Sequence, residues 1–167
     1  MKNIVLIGMP GCGKSSLGVI LAKQLGMQFC DTDLLIQQSE HRKLQEIQNQ
    51  DGVEKFLEIE EREILKLNCT NTVIATGGSV ILKSHAVEHL KKIGTLIYIK
   101  LSYEAIEKRI HNLATRGIAM NGNQTLYDVY KQRTVLYENN ADIILESDGL
   151  SVTESLEQLE QIIQDIN

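Results

Sequence analysis

The segment Gly8-Met9-Pro10-Gly11-Cys12-Gly13-Lys14-Ser15 constrains this chain more than any other stretch. It follows four consecutive apolar residues, Ile4 to Ile7, and precedes Leu17, Ile20, Leu21 and Leu25 at helical spacing. That is G-x-x-x-x-G-K-[ST] between a strand and a helix, the pattern of a phosphate-binding loop. Glycines let successive backbone N–H groups turn inward as an anion nest, which the helix N-terminus reinforces. Lys14 supplies a positive charge for β- and γ-phosphates, and the Ser15 hydroxyl suits Mg²⁺. The alternative, a Gly-rich turn with an exposed lysine, is disfavoured by the apolar strand before it and the apolar helix after it. Cys12 reads as a small loop residue rather than a redox switch.

The rest of the chain alternates in the same way. Apolar runs of strand length stand at Val73–Thr76, Leu96–Leu101 and Asp142–Leu145, with a weaker one at Met27–Cys30. Runs that are apolar throughout predict strands buried on both faces of a parallel sheet. Between them lie helical stripes: Phe56, Ile59, Ile64 and Leu67; Ala86, Leu90 and Ile93; Ala105, Ile106 and Ile110. Ser151-Val152-Thr153-Glu154 forms a capping box ahead of the face Leu156, Leu159, Ile162, Ile163 and Ile166. Alternating strands and helices predict an α/β three-layer domain whose site lies beyond the carboxyl ends of the strands. With 167 residues, the expectation is one domain, 1–167. A net charge of −5 disfavours nucleic acid as a partner, and no apolar run reaches the roughly 20 residues that span a bilayer. Three separated cysteines and no leader pattern suggest a reduced, cytoplasmic setting.

Each strand end carries candidate chemistry. After the second strand come Asp31-Thr32-Asp33; on an extended segment both carboxylates face one way, Asp31 toward Mg²⁺ and Asp33 toward an acceptor, if this strand lies beside the first. The competing reading is an Asx turn that caps the helix beginning near Leu34. After the third strand, Gly77-Gly78-Ser79 permits close approach of a ligand to the backbone, or else is a helix-entry turn. Residues 113–124, polar and hinged by Gly117 and Gly122, read either as a lid whose Arg116 stabilises a transferring phosphoryl group or as a surface loop. Arg133, on a helix from Thr125 to Asn140, reads by default as an exposed charge. His85 and His89 are spaced i, i+4 but lack further ligands at metal spacing, so they read as surface residues.

Taken together, these motifs resemble the shikimate kinase family of small P-loop kinases. The resemblance rests on the phosphate loop with its sequel Lys14-Ser15-Ser16-Leu17-Gly18, on Asp31-x-Asp33, on Gly77-Gly78, and on Arg133-Thr134-Val135-Leu136-Tyr137-Glu138 before Ala141-Asp142-Ile143. It implies a five-stranded parallel sheet, a helical substrate-binding region about 33–60, and a lid about 113–124. It implies a monomeric enzyme that moves the γ-phosphoryl group of ATP to a hydroxyl of shikimate with Mg²⁺. ATP would be held by Gly11, Cys12, Gly13, Lys14, Ser15, Ser16 and Arg116, with Arg109 against adenine. Ser15 and Asp31 would hold the metal. Asp33 would engage the acceptor hydroxyl, Gly77, Gly78 and Ser79 would line its pocket, and Arg133 would grip its carboxylate. Three positions depart from the pattern: Leu57 stands where the family has a second carboxylate-binding arginine, Ser79 replaces a third glycine, and Gly117 replaces a proline. The departure at Leu57 keeps open a kinase of another small polyol or hydroxy acid; a third alternative, an inactive nucleotide-binding regulatory module, is disfavoured by the intact set Lys14, Ser15, Asp31, Asp33 and Arg116. A nucleoside monophosphate kinase is the weaker alternative, because Asp33 suits a neutral hydroxyl better than an anionic phosphate.

Overall fold

In chain order the elements are β1 (Asn3–Ile7), α1 (Lys14–Leu25), β2 (Gln28–Asp31), α2 (Thr32–Glu40), α3 (Leu44–Asp51), α4 (Val53–Leu65), β3 (Thr72–Ala75), a 3₁₀ turn (Val80–Leu82), α5 (Ser84–Ile93), β4 (Gly94–Lys100), α6 (Tyr103–His111), α7 (Leu126–Asn140), β5 (Ile143–Glu146) and α8 (Val152–Ile166). This computed structural model describes residues 2–111 and 117–166. The five strands pair in the order β2-β3-β1-β4-β5, all parallel. Each expected strand is present, displaced by no more than two residues at either end.

Burial follows position in the sheet. Every residue of the central β1 and of β3 is buried, as their unbroken apolar runs predict, whereas the edge strands β2 and β5 are largely open. The chain leaves β1 toward one edge and leaves β3 toward the other. Right-handed crossovers therefore place α1 and α5 on opposite faces of the sheet. The carboxyl ends of β1 and β3, adjacent and paired through Leu6 and Ala75, splay into the crevice where such folds bind ligands.

A second, smaller core lies away from the sheet. Ile36, Ile47, Phe56, Leu57, Ile59 and Ala119 are buried together, joining α2, α3 and α4 to the segment that leads into α7. Gly117 packs closely here: a Cβ on it would stand 3.0 Å from the Gln45 backbone nitrogen, and Gln48 Nε2 donates to its carbonyl at 2.7 Å. The small core thus seats three helices and one returning strand of backbone over the crevice. At the chain's end the Ser151–Glu154 capping box forms in both directions, at 2.7 and 3.2 Å.

Candidate active site

The phosphate loop is built from its glycines. Gly8, Gly11 and Gly13 have φ of 147°, 80° and 102°, values that side chains resist. Gly8 has no room for one either, since a Cβ would meet the Ile99 carbonyl at 2.8 Å and Cys12 Sγ at 2.9 Å. Cys12 is accordingly a buried filler of the loop. Lys14 is buried as well, and its Nζ donates to the carbonyls of Gly8 at 2.8 Å and Met9 at 2.9 Å. Those bonds hold the ammonium at the loop mouth. Arg109, on α6, reaches the loop from the other side, donating from Nη1 to the carbonyls of Cys12 at 3.3 Å and Gly11 at 3.4 Å.

The two aspartates reach the cleft by another route than the one expected. β2 does not lie beside β1, because β3 intervenes. Asp31 ends β2 and Asp33 already sits in the first turn of α2, so the two do not share an extended segment. Asp31 instead does two jobs at once. Its Oδ1 accepts from the Asp33 backbone N–H at 3.0 Å, capping α2, while Oδ2 accepts from Ser15 Oγ at 2.7 Å. The capping turn and the pairing with the phosphate loop are one arrangement. Ser15 and Asp31 together present two hard oxygen donors, a set that fits Mg²⁺.

Gly77 and Gly78 also serve tight packing, chiefly against protein. A Cβ on Gly78 would lie 2.6 Å from Pro10 Cδ, so the turn after β3 fits against the phosphate loop itself. A Cβ on Gly77 would lie 2.5 Å from Glu60 Oε1 and 2.9 Å from Asp33 Oδ1. The turn lines the cavity, and it leads into the 3₁₀ turn at Val80 as the helix-entry reading expects. Tyr137, fully buried and stacked on Tyr98 at 5.0 Å, donates its hydroxyl to the Gly78 carbonyl and fixes the turn from below.

Glu60 was not among the residues singled out from the sequence. It is 1 % exposed; Oε2 accepts from Ser79 Oγ at 2.7 Å, and Oε1 has no hydrogen-bond partner. Burial pushes its carboxyl up to about 7; the Ser79 hydrogen bond opposes the rise and the Asp33 carboxylate adds to it. A signal for it existed. Glu60 is four residues from both Phe56 and Ile64, so it falls within their apolar stripe, where a charged residue is unusual.

Arg133 corrects a second expectation. It is 2 % exposed rather than a surface charge, with Nη2 donating to the Ala119 carbonyl and Nε lacking a hydrogen-bond partner. Leu57 is buried too. The expected lid falls partly outside the described residues, and Arg116 lies there; residues 117–124 are described and carry no helix or strand. His85 is exposed and faces Glu61 at 3.4 Å; His89 is half-buried, not a surface residue, with Nε2 2.9 Å from the Leu67 carbonyl at the end of α4.

One cavity of about 420 Å³ gathers these groups. Gly11, Gly13, Lys14, Ser15, Ser16 and Asp31 line it together with Asp33, Gly77, Gly78, Ser79 and Arg133. Arg109 touches the loop from outside it, and Leu57 lines a neighbouring cavity.

Comparison with known proteins agrees with this geometry. Residues 10–166 match the family model for shikimate kinase. A shikimate kinase from Clostridium botulinum is 37% identical over 167 residues, covering 98% of each chain, and one from Thermodesulfovibrio yellowstonii is 36% identical over 95% of this chain and 93% of its own. Among solved structures, shikimate kinase from Acinetobacter baumannii in complex with shikimate superposes with a TM-score of 0.92 at 28% identity, covering 100% of this chain and 95% of that one. The chain belongs to the shikimate kinase family.

Proposed function

We propose that this member of the shikimate kinase family transfers the γ-phosphoryl group of ATP to a hydroxyl of shikimate. The observation that supports this best is the single cavity lined by a phosphate loop and a metal-suited oxygen pair together with Asp33 and Arg133. Backbone N–H groups of residues 11–16 and the Lys14 ammonium hold the donor phosphates. Ser15 and Asp31 would hold Mg²⁺, which supplies charge neutralisation across the β- and γ-phosphates. Arg133 binds the acceptor carboxylate and orients the ring. Asp33 accepts the proton of the attacking hydroxyl as its oxygen bonds to the γ-phosphorus and the bond to the β–γ bridging oxygen breaks, releasing ADP. The residues about 33–60 form the acceptor-binding region of a single domain, 1–167. No helix among the described residues is long and apolar enough to cross a membrane, and Cys12, Cys30 and Cys69 are free thiols. The free thiols suit a reducing compartment, and we place the enzyme in the cytoplasm, as a monomer, as the family resemblance implies.

Leu57 favours a second reading, the same chemistry on another small hydroxy acid or polyol. A coupled ADP-release assay over a panel of such acceptors, shikimate first, tests the choice. Turnover highest with shikimate is expected. Robust turnover of another member with none on shikimate would establish the second reading, and ADP release with no acceptor above background would leave a nucleotide-binding module.

A further inference from the structure

Arg133 lines two cavities, not one. Beyond it and Ala119, which is also shared, lies a second cavity of about 270 Å³ bounded by Leu57, Leu82, Lys83, Gln124 and Gln132 among others. An acceptor carboxylate bound at Arg133 therefore sits at the junction between them. With leucine at position 57, one guanidinium would hold that carboxylate, and its Nε has no hydrogen-bond partner in a setting 2 % exposed. An arginine so buried calls for an anion to neutralise it. Glu60 is half-neutral near pH 7 and already bound to Ser79, so it meets that need poorly. Among the described residues, the wall of the second cavity holds one further cation, Lys83, at the N-terminus of α5. Its Nζ is paired at 2.6 Å with Glu54, whose own side chain is 74% exposed and well hydrated. Lys83 can therefore give up or share that partner at little cost.

We propose that the second cavity is the carboxylate end of the acceptor site and that Lys83 is its second cation, in place of the arginine missing at Leu57. This deepens the acceptor reading above and rests on it. A flexible ammonium serves here because the cavity gives it room to move, whereas a planar fork would have to be built in register with Arg133.

Steady-state kinetics of Lys83→Met, with Glu54→Gln and Lys43→Met as companions, tests the assignment; Lys43 is the exposed cation at the rim of the first cavity. Lys83→Met is expected to raise the shikimate KM about three- to tenfold, the loss of one partly solvated charge-assisted bond, with the ATP KM unchanged. Glu54→Gln should leave the shikimate KM unchanged or lower it. Lys43→Met should have the smaller effect of the two lysine variants. A shikimate KM unaltered by Lys83→Met, a larger rise from Lys43→Met, or an equal rise from Glu54→Gln (which would mean that the ion pair acts only by holding α4 against α5) would each overturn the role of Lys83 while leaving shikimate as acceptor. Wild-type protein that turns over no shikimate would overturn the acceptor reading instead, and this assignment with it.

Discussion

The two ends of the cavity are built on opposite principles. The proposed donor end is one continuous loop whose candidate binding groups are mostly backbone N–H, backed by Lys14, whose ammonium is satisfied by two carbonyls. The proposed acceptor end takes side chains from α2, α4, the turn after β3 and α7; Arg133 Nε there, and Glu60 Oε1 in the layer behind Gly77 and Ser79, are buried without hydrogen-bond partners. A loop of backbone donors recognises any phosphate and is satisfied locally. Buried side chains from four elements recognise one shape, at a cost in stability when their polar atoms stay unpaired. The generic half of the site is thus satisfied locally, and the unpaired buried atoms lie at or behind the specific half.

The largest effect expected lies at the donor end. Lys14→Ala should abolish nearly all turnover, on the order of 10³-fold or more, because its charge is worth several kcal/mol in the transition state. Circular dichroism should show the fold intact. Turnover within a few-fold of wild type would break the donor half of the comparison.

Where the halves meet, the aspartates should separate. Asp33→Asn should lower kcat about 10²- to 10⁴-fold while Mg·ATP binding, measured by calorimetry, persists. Asp31→Asn should raise the Mg²⁺ concentration needed for half-maximal activity and also loosen the α2 cap. Equal shifts in Mg²⁺ dependence for both variants would contradict the division.

Leu57→Arg probes the acceptor end directly. If shikimate is the acceptor, the new cation should lower its KM by about tenfold in a Lys83→Met background, the worth of one charge-assisted bond, and by less where Lys83 is present. If the cavity serves a different acceptor, the same variant should melt several degrees lower and gain no shikimate turnover.

The smallest effect concerns stability. Glu60 has a carboxyl raised from 4.5 to about 7 in the folded protein, so between those values the native state holds a proton that the unfolded chain has lost. Its contribution to stability is full below about pH 4.5 and disappears as pH rises through about 7. Relative to Glu60→Gln, the wild type should therefore lose several degrees of melting temperature between pH 5 and 8. Parallel melting curves across that range would show that Glu60 is not the buried acid described.

How much of this was legible follows the same division. The donor loop could be read residue by residue because its chemistry is local: the glycines, Lys14 and Ser15 are contiguous, and flanking periodicity supplies their context. The five strands were legible for a similar reason, since unbroken apolar runs need burial on both faces. Strand order was not, because nothing near Met27–Cys30 records that β3 inserts between β1 and β2; the path of Asp31 was misjudged as a result. Arg133 read as a surface charge because α7 has no strong apolar stripe to mark which side is buried. Resemblance, rather than periodicity, pointed to its pocket role. Glu60 lay in plain view within a helical stripe, yet its consequence depends on Ser79 and Gly77, 19 and 17 positions away. Position 57 could be recognised as a departure, but the cavity it opens beside Lys83 exists only in three dimensions.

Under the proposed function Arg133 acts at the acceptor end alone. Arg133→Lys keeps the buried charge and removes the planar fork. Measured with both substrates varied, this variant should raise the shikimate KM about 10- to 100-fold and leave the ATP KM within about twofold of wild type. An unchanged shikimate KM, or an ATP KM that rises in step with it, would contradict the separation of donor and acceptor ends on which the proposed function stands.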